Sequence, residues 1–296
     1  MNKSISFARF HPVALFFYYL ALLLFTMFTE NPVIIASSLA GGFLFCFFTG
    51  TARENVADAK FYIPMFLLVA LTNPLFSHNG ATPLFFMNDN PVTLEAVLAG
   101  VNIAATVTAV MLACKGFSRV MESDKLLALF GKASPKLAAV LSMALRFIPL
   151  FKRKWGEICD VQKAMGYFRE ESRFSRLASY ARVFSALVSW ALENAADTAA
   201  SMCARGFELE GKKSFSLFRF TKNDGALIAA TALLSATVLA GFALGKAEFY
   251  FYPRISELSA DVFSLITYAS FSMLSLLPFI FEVKEALKWK YLRSKI

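Results

Sequence analysis

Several kinds of chemistry are missing from this 296-residue chain, and each absence narrows its function. Charged residues make up only 17% of it, against about a quarter in a soluble domain, which excludes a disordered chain and an ordinary cytosolic enzyme. The four cysteines (Cys46, Cys114, Cys159 and Cys203) are scattered with no CxxC pair, so neither a disulfide scaffold nor a zinc site is indicated. The two histidines, His11 and His78, lie far apart with no acidic cluster nearby, so no metal site is supported. There is no glycine-rich phosphate loop ending in Lys-Ser/Thr, so the chain does not hydrolyse nucleotide itself. It also lacks the paired Asp-rich motifs with which a membrane prenyltransferase holds magnesium diphosphate. The apolar stretches contain hardly a charge that would serve as a proton or ion relay. No catalytic residue, metal or cofactor is expected.

What is present is apolar: 57% hydrophobic residues, 33 of them Phe, and a mean hydropathy of +0.55. This is the composition of a polytopic membrane protein. Charge-free intervals of about 20 residues mark candidate spans. Six occur, at 10–29, 31–52, 61–88, 96–114, 225–245 and 262–281. The first has no small-residue cleavage site after it and reads as a retained helix, not a signal peptide. The third predicts a helix to about Phe76 followed by a loop, with Asn73-Pro74 and His78 in a structural turn. Asn102, in the fourth, is expected to bond a neighbouring helix.

Between Lys115 and Lys222 charges recur every few residues while apolar positions keep helical spacing. Leu137, Leu141, Ala144, Leu145 and Ile148 form one stripe; Phe174, Leu177, Ala181, Phe184 and Val188 form another. These stripes predict an amphipathic helical insert resting partly on the membrane surface, with the two stripes buried against each other or against a partner. The fold expected is an all-α integral membrane protein with about six transmembrane helices and a cytoplasmic helical insert. Its divisions are 1–114 (four spans), 115–222 (the insert) and 223–296 (two spans and a basic tail). The segment Arg146–Lys222 holds 14 of the 30 basic residues against 8 acidic ones, and the tail adds Lys284, Lys288, Lys290, Arg293 and Lys295. The positive-inside bias then places both termini in the cytoplasm of a plasma-membrane protein. The net charge of +9 fits that bias and contact with anionic lipid, with no nucleic-acid partner implied.

The most informative segment is ALENAADTAASMCARGFE, Ala191–Glu208. Ala195, Ala196, Ala199, Ala200, Cys203 and Ala204 leave a slender helix that lets another backbone approach closely. Arg205 is a charged fork at its tip, and Gly206 suits a helix C-cap. The plainer reading of Ala204-Arg205-Gly206 is an Ala-rich helix with a solvated arginine favoured by the helix dipole. Forty residues earlier Asp160–Gly166 reads as a second short helix, ending Ala164-Met165-Gly166. Before it comes ALRFIP (Ala144–Pro149), in which Pro149 is expected to bend or end the helix and Arg146 to brace the insert or lie at the surface. The loop after the third span reads NPLFSHNG, Asn73–Gly80.

In this order the motifs resemble the T component of energy-coupling factor (ECF) transporters, from about Asn73 to Gly211, with a weaker likeness at His11-Pro12. The resemblance implies a subunit that binds no substrate and is not an enzyme. Such a subunit docks two cytosolic ATP-binding-cassette (ABC) ATPases through two coupling helices, each ending Ala-Arg-Gly. It also holds a small membrane S component that captures a vitamin or transition metal. Ala204, Arg205 and Gly206 match one coupling helix, with Ala200 in support. Ala164 and Gly166 match the other, where Met165 replaces the arginine. An interfacial Arg–carboxylate pair costs about 2–5 kcal/mol when truncated, so Met165 points either to an apolar pocket on its ATPase or to charge supplied by Lys163 or Arg169 from a neighbouring turn, and it favours two unequal ATPases over two identical ones. Two other readings are a conventional ABC permease, for which Glu193–Ala196 is a passing likeness but a single coupling loop is expected, and a lipid-modifying membrane enzyme, which lacks a working cluster.

Overall fold

The computed structural model describes residues 6–77, 80–87, 90–133, 135–167, 173–207, 218–252, 254–259 and 261–294. In chain order its elements are α1 (Pro12–Phe28), α2 (Pro32–Thr49), α3 (Ala52–Phe76), β1 (Pro83–Met87), β2 (Asn90–Thr93), α4 (Leu94–Val120), α5 (Ser123–Ala133), α6 (Pro135–Ala164), α7 (Arg173–Ala204), α8 (Lys222–Ala243) and α9 (Val262–Arg293), with a 3-10 turn at Phe7–Arg9. The chain divides into two compact units, one of Met1–Leu126 with Phe218–Ile296 and one of Leu127–Leu217.

The first unit is a membrane bundle. Five of its helices (α2, α3, α4, α8 and α9) are long and apolar enough to cross a bilayer. Six spans are expected from the sequence. The remaining one, α1, is apolar but only 17 residues long, a rise of about 25 Å, the lower limit for a span. Starts follow local chemistry. Pro12 and Pro32 open α1 and α2 where a missing N–H costs nothing, and His11 Nδ1 and Asn31 Oδ1 accept the Val13 and Val33 amides at 3.2 and 3.1 Å. Small residues set the crossings. A Cβ on Gly41 of α2 would lie 2.5 Å from the Ser275 carbonyl oxygen of α9, and one on Gly100 of α4 at 2.5 Å from that of Ala70 in α3. The core collects Phe7, Leu15, Tyr18, Phe271 and Leu274, all fully buried, and the Tyr18 hydroxyl donates to the Leu274 carbonyl at 2.9 Å.

Three expectations are corrected here. The loop after α3 contains an antiparallel hairpin, β1 with β2, a small β element in an otherwise helical chain. Asn73 and Pro74 lie inside α3, not in a turn, and Asn73 Nδ2 donates to the Ala96 carbonyl at 2.8 Å; His78 lies outside the described residues. Asn102 Nδ2 donates to the Glu30 carbonyl at 2.9 Å, in the α1–α2 connection and not on a neighbouring helix.

Buried charge does occur at the edges of the apolar intervals. Glu95, Asp224 and Glu282 bound three of the charge-free intervals, and all three are buried. Each carboxylate receives backbone amides. Glu95 accepts from the Thr82 amide and hydroxyl, Asp224 from the His11 and Thr221 amides, and Glu282 from the Phe7 amide. Backbone hydrogen bonds of this kind offset the desolvation of a carboxylate.

In the second unit α6 and α7 pair antiparallel. Phe151 meets Trp190 edge-on at 6.0 Å, Trp155 stacks on Tyr180 at 6.4 Å, and Lys154 lies 5.6 Å over the Trp190 ring. Cys159, Ser179 and Val183 are buried. The two apolar stripes are not buried against each other, because these rings occupy the seam. Leu137, Leu141 and Ile148 are exposed, as are Phe174, Leu177, Phe184 and Val188. Pro149 neither ends nor divides α6, which runs on to Ala164 with the proline inside it.

Candidate functional site

The two Ala-X-Gly ends are not short separate helices. They are the final turns of the 30-residue α6 and the 32-residue α7. Their caps share one geometry. At the end of α6 the Gly166 amide donates to the Lys163 carbonyl at 3.0 Å and the Tyr167 amide to that of Gln162 at 3.2 Å. At the end of α7 the Gly206 amide donates to Cys203 at 2.9 Å and the Phe207 amide to Met202 at 3.0 Å. These are two Schellman motifs, which need a left-handed residue after the helix. Gly166 and Gly206 supply it with φ of +84° and +73°.

The side chains around the caps match as well. Ala164, Met165 and Tyr167 are exposed, and so are Ala204, Arg205 and Phe207, while each glycine is half-buried. Both ends therefore present a small residue, a long residue and an aromatic ring beside the negative pole of a helix. Tyr167 and Phe207 escape a motif reading that stops at glycine. The signal for them is an aromatic at the same offset from both glycines, the position where a Schellman cap makes its hydrophobic contact. Tyr167 also lies under Arg182 at 4.8 Å, and its carbonyl accepts from Ser179 Oγ at 2.8 Å.

The two ends differ in charge. Arg205 is exposed, and its guanidinium makes no hydrogen bond or ion pair among the described residues. At the other end Met165 is 59% exposed. Beside it Lys163 is exposed and lies 3.3 Å from Asp160 in an ion pair; Arg169 lies outside the described residues. Upstream, Glu157 is held by the Lys154 ammonium at 2.9 Å, which keeps its carboxyl below the ordinary glutamate range. Arg146 and Pro149 are exposed on α6, and Ala200 is exposed on α7 one turn before Ala204.

Antiparallel pairing sets the ends apart. Tyr167 sits level with Ser179 and Arg182, and from Ser179 to Ala204 α7 rises about 40 Å at ~1.5 Å per residue. The α6–α7 pair is thus a two-helix bar with matching, exposed caps near opposite ends. Among the described residues no cluster of His, Cys, Asp and Glu is arranged to hold a metal ion.

A family profile described as cobalt transport protein (CbiQ) matches residues 6–215, more than two thirds of the chain and both capped ends. This chain belongs to the cobalt transport protein family. None of the curated proteins matches it. Membership places it in a family of transport proteins, in keeping with its five helices long and apolar enough to cross a membrane.

Proposed function

We propose that this member of the cobalt transport protein family is the energy-coupling scaffold, or T component, of an ECF-type ABC importer. The observation that carries the reading is the pair of like-capped helix ends, Ala164-Met165-Gly166 and Ala204-Arg205-Gly206, held near opposite ends of the α6–α7 bar. Each end docks on one cytosolic ABC ATPase. Alanines allow close approach, and the cap glycine turns the chain away from the contact. Arg205 adds a charge-assisted fork to a carboxylate or to carbonyls, whereas Met165 adds apolar, adaptable contact. That inequality suits two non-identical ATPases, one with an acidic socket and one with an apolar socket.

ATP-driven closure of the ATPase pair then moves the bar's ends, and the bar passes the motion to a separate membrane S component that holds the substrate. The exposed stripes on α6 and α7 supply apolar area for that partner and for the membrane surface. Basic residues of the insert and tail face anionic lipid, with both termini cytoplasmic in the plasma membrane. The family's name makes cobalt the first substrate to assay; other transition metals and vitamins follow, since the S component sets the choice.

The test is purification in mild detergent with and without Arg205→Glu. Two ATPases and a small membrane protein are expected with the parent. The variant is expected to insert normally yet bind its ATPase at least about 30-fold more weakly, the lower end of the cost of truncating such a pair. Full retention of the ATPases by Arg205→Glu overturns the reading.

A further inference from the structure

The chain leaves the membrane unit after Leu126 and re-enters it at Phe218. Any force passing between the units along the backbone goes through these two roots. Connections of this kind usually lie on the surface and are held loosely. Both roots here are fastened instead to the same short stretch, Phe7–His11.

At the exit root Lys125 is only 7% exposed. Its Nζ donates to the Ala8 carbonyl at 2.7 Å and to the Val120 carbonyl, at the end of α4, at 2.6 Å. Burial lowers the pKa of this amine, and the two carbonyls offset the cost of holding a cation there. At the re-entry root Asp224, 2% exposed, accepts the His11 amide at 2.7 Å through one oxygen and the Thr221 amide at 2.7 Å through the other. The His11 ring meets Phe220 edge-on at 5.5 Å. The stretch is itself anchored, since Phe7 is fully buried and its amide donates to Glu282 of α9 at 2.8 Å.

We infer that Phe7–His11 is a clamp that fixes both roots of the second unit to the membrane bundle, with Lys125 and Asp224 as its positioning residues. Resting on the coupling reading, the clamp makes the roots fixed points of the bundle, so that displacement arriving at either root is passed to the bundle. A stretch that merely filled the core would need Phe7 alone. It would not need a buried cation at one root and a buried carboxylate at the other.

The experiment uses the complex purified with its ATPases, after Cys114→Ser and Cys203→Ser, with nitroxides on Leu192→Cys in α7 and Leu239→Cys in α8, both exposed positions. The parent is expected to show an interlabel distance that shifts between ADP and ATP. Lys125→Met keeps the side chain's length but removes both hydrogen bonds. Asp224→Asn keeps the shape but sets an N–H donor against the amides of Thr221 or His11. Either variant is expected to retain its ATPases and turn over ATP within about twofold of the parent, while the interlabel distribution broadens and its ATP-dependent shift is lost. A full shift in an inserted Lys125→Met or Asp224→Asn protein overturns the clamp and leaves the coupling reading standing. A parent that carries no ATPases, or shows no shift, refutes the coupling reading and the clamp's role with it.

Discussion

Replacing Gly166 by alanine isolates the contribution of the cap from that of the contact surface. A Cβ at Gly166 would meet nothing within 4 Å, so no clash accompanies the change. The whole cost comes from φ of +84°, a left-handed conformation that an L-residue adopts at about 1–2 kcal/mol. That corresponds to a roughly 5–30-fold loss in the population of the capped end. Asparagine tolerates the same conformation through local hydrogen bonding, so Gly166→Asn should recover most of the loss despite its larger side chain. The assay is amide hydrogen exchange at Tyr167, whose N–H is tied to the Gln162 carbonyl at 3.2 Å. Protection should fall about 5–30-fold in the alanine variant and much less in the asparagine variant. In the assembled complex, affinity for the ATPase on that end should follow the same order. Equal exchange in all three proteins, or asparagine as damaging as alanine, would refute the argument.

Other outcomes follow from contacts elsewhere. Gly41→Ala puts a Cβ 2.5 Å from the Ser275 carbonyl oxygen, so α2 and α9 must separate; thermal unfolding in detergent should show a loss of about 1–3 kcal/mol, as for overpacking in general. Met165→Arg should weaken docking at that end, where the proposed socket is apolar, read by co-purification of each ATPase; strengthened docking would contradict the apolar socket. Lys154→Gln should return the Glu157 titration upward toward the ordinary glutamate range, measured by carboxyl NMR. The sign follows from the lowered pKa. The pair's contribution is present above the ordinary glutamate pKa and disappears as pH falls through the lowered one. The same substitution removes the cation lying 5.6 Å over Trp190, so Trp190 fluorescence should change as well.

Much of the membrane unit is legible in the order of charges. Bilayer physics penalises an ionisable residue wherever it falls, so the uncharged intervals locate α2, α3, α4, α8 and α9, while the end of α3 at Phe76 is legible in the turn-forming residues inside the longest interval. Gly206 as a cap is legible because left-handed backbone at a helix end is a local need. What the sequence conceals is non-local. The carboxylates of Asp224 and Glu282 look like simple span boundaries, yet each accepts an amide more than 200 residues away. The seam of α6 and α7 uses Phe151, Trp155, Tyr180 and Trp190, while the periodic aliphatic stripes remain outside it. Periodicity reports an apolar face without saying what covers it. Pro149 misleads for a related reason. A proline removes one helical hydrogen bond, and in a long helix packed along its length that loss does not end the helix.

The most direct test of the coupling claim uses a residue already in place. Cys203 is exposed beside Ala204, two residues before the Arg205 tip. A short photoactivatable cross-linker attached to Cys203 in the intact, membrane-embedded assembly should capture an ABC ATPase, and Arg205→Glu should abolish the adduct. Adducts to lipid alone, or labelling of Cys203 by an impermeant reagent applied from outside the cell, would contradict the account.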